Sequence, residues 1–314
     1  MILRVLCIIL VLLIIVCFGI GTFLFFFALK RDFKFHMNFE KNTDEGKGDQ
    51  KAFALFYGSE QMKEEFKQLS EEYEIESDDH LKLKAWLLRN DSHKYMILCH
   101  GYTGRHQEMC FNALQYYRKG YNCLTPDARA HGLSEGVYRG MGYLERKDIK
   151  KWIDFIIEMD PDAQIVLYGR SMGGATVLMS MCYYHPDNLK CVVEDCGYGS
   201  VFDEFAGVIK HDFKLPVFPI MNFASMICKL IGKYSLEETS IYEDLKKNEV
   251  PCLFIHGDAD TFVPYSFMEK MYDLDAGEKQ KLVVHKAAHA MSEIVEPEVY
   301  EKTMDGFINK YISV

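Results

Sequence analysis

From Tyr95 to the C-terminus, short apolar runs alternate with segments whose apolar residues recur every three or four positions, and this alternation limits the chain to few architectures. The runs at 95–99, 122–125, 165–168, 191–194, 252–255 and 281–284 have strand length and apolar residues on both faces. The segments at 107–118, 144–159, 172–184, 266–274 and 297–311 have helical spacing. Apolar strands separated by amphipathic helices imply an α/β protein with a mostly parallel central sheet and helices on both faces. Ahead of them, residues 73–76 and the alternation of Leu81, Leu83, Ala85 and Leu87 with Lys82, Lys84 and Trp86 predict a hairpin over Asp78 and Asp79.

Two regions depart from this rhythm. Between 198 and 245 an apolar stretch carries Pro216 and Pro219, which reads as an inserted cap. The same prolines, with Lys214 and Lys229, argue against a membrane span there. At the N-terminus, residues 5–29 contain no charge. At about 1.5 Å per residue this helix would be roughly 37 Å long, more than the roughly 30 Å bilayer core. No small-residue cleavage site ends it, so it reads as a transmembrane anchor rather than a signal peptide. Lys30, Arg31, Lys34 and Lys41 outweigh Arg4, which favours a cytoplasmic body by the positive-inside rule. Both sides stay open, since single-span proteins break that rule. The polar, glycine-bearing stretch 42–51 reads as a tether. Residues 60–72, with Met62, Phe66 and Leu69 on one stripe, read as an amphipathic helix packed on the body. The expected organisation is an anchor at 1–30, a linker and helix at 31–70, and a catalytic body at 71–314 with an insertion at about 198–245.

A hydrophobic content of 49% supplies a core, and a net charge of −10 speaks against a nucleic-acid partner. Ten cysteines occur without a C-x-x-C pair, which argues against a zinc site or a disulfide framework. Cys99, Cys191 and Cys252 sit in or beside buried strands, where a thiol packs as a small hydrophobe.

The chemistry centres on residues 165–178, a strand, a glycine-flanked serine and a helix. Gly169-Arg170-Ser171-Met172-Gly173 has the form of a nucleophile elbow, in which glycines free space for a cramped turn that lifts Ser171 clear of the sheet. A serine hydroxyl needs a general base, usually histidine, and a carboxylate to orient that base. In a parallel sheet these groups belong just beyond the carboxyl ends of strands. Ser171, then Asp258 or Asp260, then His289 meet that condition in the order associated with such an elbow.

From about residue 71 onward the chain resembles the α/β-hydrolase family, in particular esterase and serine-aminopeptidase-like members with an N-terminal membrane segment. The resemblance rests on His100-Gly101-Tyr102, on residues 127–134 (DARAHGLS), on the elbow, on residues 251–264 (PCLFIHGDADTFVP) and on Ala288-His289-Ala290. Ala130 departs from the family's usual glycine before His-Gly. The resemblance implies an α/β-hydrolase fold and assigns the acid to the second carboxylate, Asp260, with Asp258 as alternate. It also implies an oxyanion hole formed by the backbone N–H groups of Tyr102 and Met172. No metal or organic cofactor is expected.

Each candidate has a plainer reading. His100, His256 and His131 read as loop braces, His285 as a packed or edge residue of a strand, and Asp195 as a third choice of acid. Phe202, Phe205, Phe213, Phe218 and Met221 either line an acyl pocket or pack on the body. The reading that joins these parts is a serine hydrolase acting through an acyl-enzyme on a carboxylic ester, tethered to a membrane. The alternatives are a serine aminopeptidase, with Asp203, Glu204 or Asp212 meeting a substrate amine, and a non-catalytic membrane-tethered binding module.

Overall fold

The computed structural model describes residues 2–31 and 59–313. The tether expected at 42–51 and the flanking Lys34 and Lys41 lie outside them. The described chain forms two compact units.

The larger unit, made of residues 59–136, 140–199 and 241–313, is built on an eight-stranded sheet. Its strands are β1 (Ser70–Glu76), β2 (Lys82–Leu88), β3 (Lys94–Cys99), β4 (Asn122–Pro126), β5 (Gln164–Arg170), β6 (Leu189–Asp195), β7 (Cys252–Gly257) and β8 (Lys279–Val284), in the order β1-β2-β4-β3-β5-β6-β7-β8. The β1–β2 and β2–β4 pairs are antiparallel and all the others are parallel. β3 to β7 are buried almost throughout, as apolar strands covered on both faces must be. β1 alternates polar and half-buried positions because it is an edge.

The smaller unit contributes helix α1 (Ile2–Leu29), and the larger continues with α2 (Glu60–Leu69), α3 (Cys110–Arg118, entered through a 3₁₀ turn at His106–Met109), α4 (Glu145–Met159) and α5 (Met172–Tyr183). Next come α6 (Val201–His211) and α7 (Val217–Ile231), then α8 (Tyr242–Leu245), α9 (Tyr265–Leu274), α10 (Ser292–Val295) and α11 (Pro297–Ile308). α4 buries Ile149, Trp152, Ile153 and Ile156, a single stripe. α5 is buried on nearly every side. On one sheet face Met96, Leu98, Val166, Tyr168, Val193, Leu253 and Ile255 form a core with α2, α3 and α11. The intervening Ile97, Ile165, Leu167, Val192 and Phe254 point to the opposite face and are equally buried.

Two boundaries differ from expectation. α2 stops at Leu69 rather than running to 72, because Glu71 and Glu72 pair with Leu87 and Trp86 in the β-ladder. Phe66 is buried, whereas Leu69 at the exit is exposed. β8 ends at Val284, so His285 lies outside the strand and in solvent.

The smaller unit comprises residues 2–31, 137–139 and 200–240. α1 is long and apolar enough to cross a membrane. Its last turn is held by Arg139, which donates to the carbonyl oxygens of Lys30 and Arg31. Pro216 and Pro219 flank the start of α7 instead of interrupting a helix, since a first turn loses nothing by a missing N–H.

Candidate active site

β3 is the first strand of the parallel block, yet it sits inside it, with β4 on one side and β5 on the other. Crossovers leave β3 and β5 in opposite directions, and this opens a crevice at their carboxyl ends. The loop His100-Gly101-Tyr102 follows β3 and the elbow follows β5.

Ser171 has φ 56° and ψ −121°, a left-handed conformation that a residue with a side chain adopts only under constraint. The constraint is steric and can be read from its neighbours. A Cβ on Gly169 would lie 2.1 Å from the Gly173 carbonyl oxygen, and one on Gly173 would lie 2.0 Å from that of Cys99. Glycine at both positions lets three backbone segments meet beneath the serine. The Ser171 N–H is fixed by donation to the Asp195 carbonyl at 2.8 Å.

The Ser171 Oγ lies 2.8 Å from His289 Nε2, and His289 Nδ1 lies 2.7 Å from Asp260 Oδ2. Beside an ionised carboxylate Nδ1 must carry the proton, so Nε2 is free to accept from the hydroxyl. Asp260 is only 6% exposed, and its Oδ1 accepts the N–H groups of Phe262 and Val263, both at 2.9 Å. Burial opposes its charge, but the charge of His289 and the hydrogen bond from His256 outweigh burial and hold the carboxyl at about 2. The His289 side chain is 22% exposed, with the Phe262 ring edge-on at 4.9 Å.

Asp258, the alternate acid, turns away from this group. It pairs with the exposed His285 at 2.7 Å and accepts the Lys286 N–H. Asp195 is also apart, bonded to the Tyr300 hydroxyl at 2.9 Å with Arg170 Nε at 3.4 Å. His100 accepts from the Ala128 N–H at 3.0 Å through Nε2 and donates from Nδ1 to the Gly101 carbonyl, so it braces the loop. Burial lowers its pKa and keeps it neutral. His131 bonds the Arg129 carbonyl through Nδ1.

The loop after β3 lies against Ser171. A Cβ on Gly101 would sit 3.6 Å from the Ser171 Cβ. Met172 opens α5, and the first N–H groups of a helix have no partner within it and carry its positive dipole end. Tyr102 occupies the turn after Gly101. Asp127 ties this loop to the one after β4 by accepting from His106, at both its N–H and Nδ1, and from the Leu133 N–H.

Three side chains have roles that the motifs do not specify. Arg170, next to Ser171, is buried and bonds Glu293 at 2.7 Å and the Tyr168 hydroxyl at 2.8 Å. It thereby links the elbow to α10, which begins three residues after His289. His256 braces its loop as expected, with Nε2 2.9 Å from the Val263 carbonyl, and the same nitrogen lies 3.2 Å from the Asp260 oxygen that His289 uses. Beneath it Glu194 accepts the Gly197 N–H, and burial pushes its carboxyl up to about 7 although the charge of His256 works the other way. A charged residue inside an apolar strand was the one available signal for Glu194 and Arg170.

Two groups among the described residues bring metal-binding atoms within 4.8 Å of one another: Cys196, Asp260 and His289, and the surface set His93, Asp160 and Asp162. In the first, Asp260 and His289 already satisfy each other, and burial drives the Cys196 thiol well above its ordinary pKa, which opposes thiolate ligation.

Sheet order, crevice and elbow together define the class: the chain has the α/β-hydrolase fold. A family model described as alpha/beta hydrolase fold matches residues 94–216. The uncharacterized protein YqkD of Bacillus subtilis is 28% identical over 225 residues, which cover 70% of this chain and 72% of YqkD. The uncharacterized membrane protein YNL320W of Saccharomyces cerevisiae is 25% identical over 248 residues, 74% of this chain and 78% of its own. Among solved structures, a Pyrococcus furiosus esterase superposes with a TM-score of 0.64 at 25% identity, over 79% of this chain and 95% of the esterase. These likenesses support a hydrolase.

Proposed function

We propose that the protein is a serine hydrolase that cleaves a carboxylic ester through an acyl-enzyme. The observation that carries this reading is the unbroken hydrogen-bonded chain from Ser171 through His289 to Asp260. In this mechanism the Ser171 Oγ attacks the ester carbonyl carbon while its proton passes to His289 Nε2. The oxyanion takes the N–H groups of Met172 and Tyr102, donors whose individual loss typically costs about 10²- to 10³-fold in rate. The tetrahedral adduct collapses, the C–O bond to the alcohol breaks, and His289 returns its proton to the leaving oxygen. Water then attacks the acyl-enzyme by the same route and frees the acid and Ser171. The chemistry needs no cofactor.

The likeness to an esterase supports an ester over an amide. α1 supports tethering to a membrane, with 1–30 as anchor, 31–70 as linker and helix, and 71–314 as the catalytic body carrying an insertion at about 198–245.

The test is labelling of the detergent-solubilised full chain by a fluorophosphonate at neutral pH. Wild type labels and Ser171→Ala does not. A folded wild type that fails to label overturns the reading in favour of a non-catalytic tethered module. Faster turnover of aminoacyl amides than of acyl esters overturns the ester assignment alone.

A further inference from the structure

α1 changes character along its length. Ile2 to Val16 is exposed on every side, while Gly21, Leu24, Phe25 and Leu29 are buried within the smaller unit. At about 1.5 Å per residue the exposed part is roughly 22 Å long and the whole helix roughly 42 Å, so a bilayer core of roughly 30 Å cannot hold all of it. The end that leaves the lipid is the end packed on protein.

α7 is what packs there. Gly21 permits the close approach, since a Cβ on it would lie 2.8 Å from the Ala224 nitrogen and 3.0 Å from the Ile220 oxygen. The two helices run in opposite senses. Phe213, just before α7, meets Phe27, whereas Phe223, further along, meets Phe18. Each step toward the C-terminus of α7 is therefore a step toward the exposed, uncharged part of α1.

The outward face of α7 fits that destination. Ile220, Met221, Ala224, Ile227 and Cys228 are buried, while Phe218, Met226, Leu230 and Ile231 face outward, with Leu230 63% exposed. Asn222 shares this exposed face, and Lys229 and Lys233 lie at its C-terminal end, the first 3.3 Å from Glu238 and the second donating to the Leu230 carbonyl, both partners being at the surface. Large apolar side chains beside lysines that can raise their ammonium groups to the headgroups are the composition of a helix lying in a membrane interface.

We propose that α7 is a second membrane-contacting element, seated in the interface of a phospholipid bilayer with Met226, Leu230 and Ile231 among the acyl chains. The smaller unit then meets the lipid through two helices, one spanning and one lying flat. This rests on the membrane reading of α1 and is independent of the catalytic reading.

The experiment uses the full chain reconstituted in phosphatidylcholine vesicles whose acyl chains are brominated near the headgroup, with single tryptophan reporters. Native Trp152 is fully buried and Trp86 is stacked on His106, so both give a steady background. Met226→Trp and Leu230→Trp add reporters at exposed positions, Leu10→Trp reports on α1, and Val299→Trp reports on the exposed surface of α11 in the larger unit. Unchanged melting temperatures certify the fold of each variant. The expected result is loss of the added emission for Met226→Trp and Leu230→Trp comparable to that for Leu10→Trp, with Val299→Trp unaffected. Quenching at Leu10 with none at 226 and 230 overturns the proposal and leaves the anchor standing. No quenching at Leu10 overturns the anchor and the proposal together.

Discussion

Replacing Asp260 by asparagine removes one property and keeps most of the others. Asparagine still offers Oδ1 to the N–H groups of Phe262 and Val263, so the loop after β7 keeps its shape. At the second position an NH₂ replaces an acceptor that takes His289 Nδ1–H at 2.7 Å and faces His256 Nε2 at 3.2 Å. His289 then holds its proton on Nε2 and presents it to Ser171, which leaves no lone pair for the hydroxyl proton. The magnitude has a floor that the structure supplies. Asp260 lies at about 2 against an ordinary 3.8 despite its burial, so the histidines favour the carboxylate by more than burial disfavours it. At about 1.36 kcal/mol per pKa unit this net preference is on the order of 2 kcal/mol, or some tens-fold in rate if it is withdrawn from the transition state. The burial that opposes it means that the gross interaction is larger, and the wrong tautomer in the serine-protease template costs about 10⁴-fold. Asp260→Asn should therefore lower kcat/KM for a p-nitrophenyl acyl ester by about 10²- to 10⁴-fold, with a parallel loss in fluorophosphonate labelling rate. Asp258→Asn is the control. Its partner His285 is exposed, and an exposed pair is worth so little that a change of about twofold or less is expected. Activity of Asp260→Asn within tenfold of wild type, or a larger loss for Asp258→Asn, would refute the assignment of the acid.

Two further substitutions test the scaffold under the site. Gly173→Ala places a methyl group 2.0 Å from the Cys99 carbonyl oxygen, a backbone atom held by the sheet, and should destabilise by about 2 kcal/mol or more. Gly306→Ala, where nothing lies within 4 Å inside α11, should instead gain about 0.5–1 kcal/mol; equal melting temperatures for the two variants would contradict the steric account. Glu194→Gln tests the buried carboxyl. Its folded pKa is raised to about 7, so between the unfolded value of 4.5 and 7 the unfolded chain releases a proton that the folded chain keeps, and wild type loses stability as pH rises through that window. Glutamine still accepts from Gly197 and has no such loss, so its melting temperature relative to wild type should rise from pH 4.5 to pH 7, by up to about 3 kcal/mol in stability, and level off above; a difference that does not change with pH counts against the raised value.

What the sequence reveals follows the range of the forces involved. The elbow is legible because its constraints are local: Gly169 and Gly173 stand two residues either side of Ser171, and sterics within one turn dictate them. The parallel sheet is legible because burial on both faces puts apolar side chains on both sides of strands such as β5 and β7, with Ile165-Val-Leu and Cys252-Leu-Phe-Ile in unbroken runs. Asp258 and Asp260 are separable only by their motif, since both follow β7 and the choice of which turns inward is made by packing in the turn. The contacts of Arg170 with Glu293, 123 residues away, arise from tertiary packing, for which linear spacing has no signature. The start of α7 has no signature of its own for a related reason, since a proline marks a break or a beginning depending on which backbone groups precede it.

His256 shows how the long-range part serves the local one. Glu194 pairs with Phe254 across β6 and β7, so it shares a sheet face with His256, two residues further on. Asp260 thus stands at one end of a buried line of titratable groups and Glu194 at the other, with His256 between them. The two carboxyls titrate at opposite extremes, about 2 and about 7, although both are buried. The difference is one of donors: Asp260 receives two backbone N–H groups and faces two imidazoles, whereas Glu194 receives one N–H on Oε2 and leaves Oε1 without a hydrogen-bond partner among the described residues. Below pH 7 the protonated Glu194 adds no second negative charge beneath Asp260, which in the proposed mechanism leaves the Asp260 charge available to an imidazolium on His289. A separation of this kind, made by environment rather than residue type, is how a site divides roles between like groups. Asp258 also keeps its charge, but through the hydrogen bond from exposed His285, whereas Asp260 holds its own while buried beside His289.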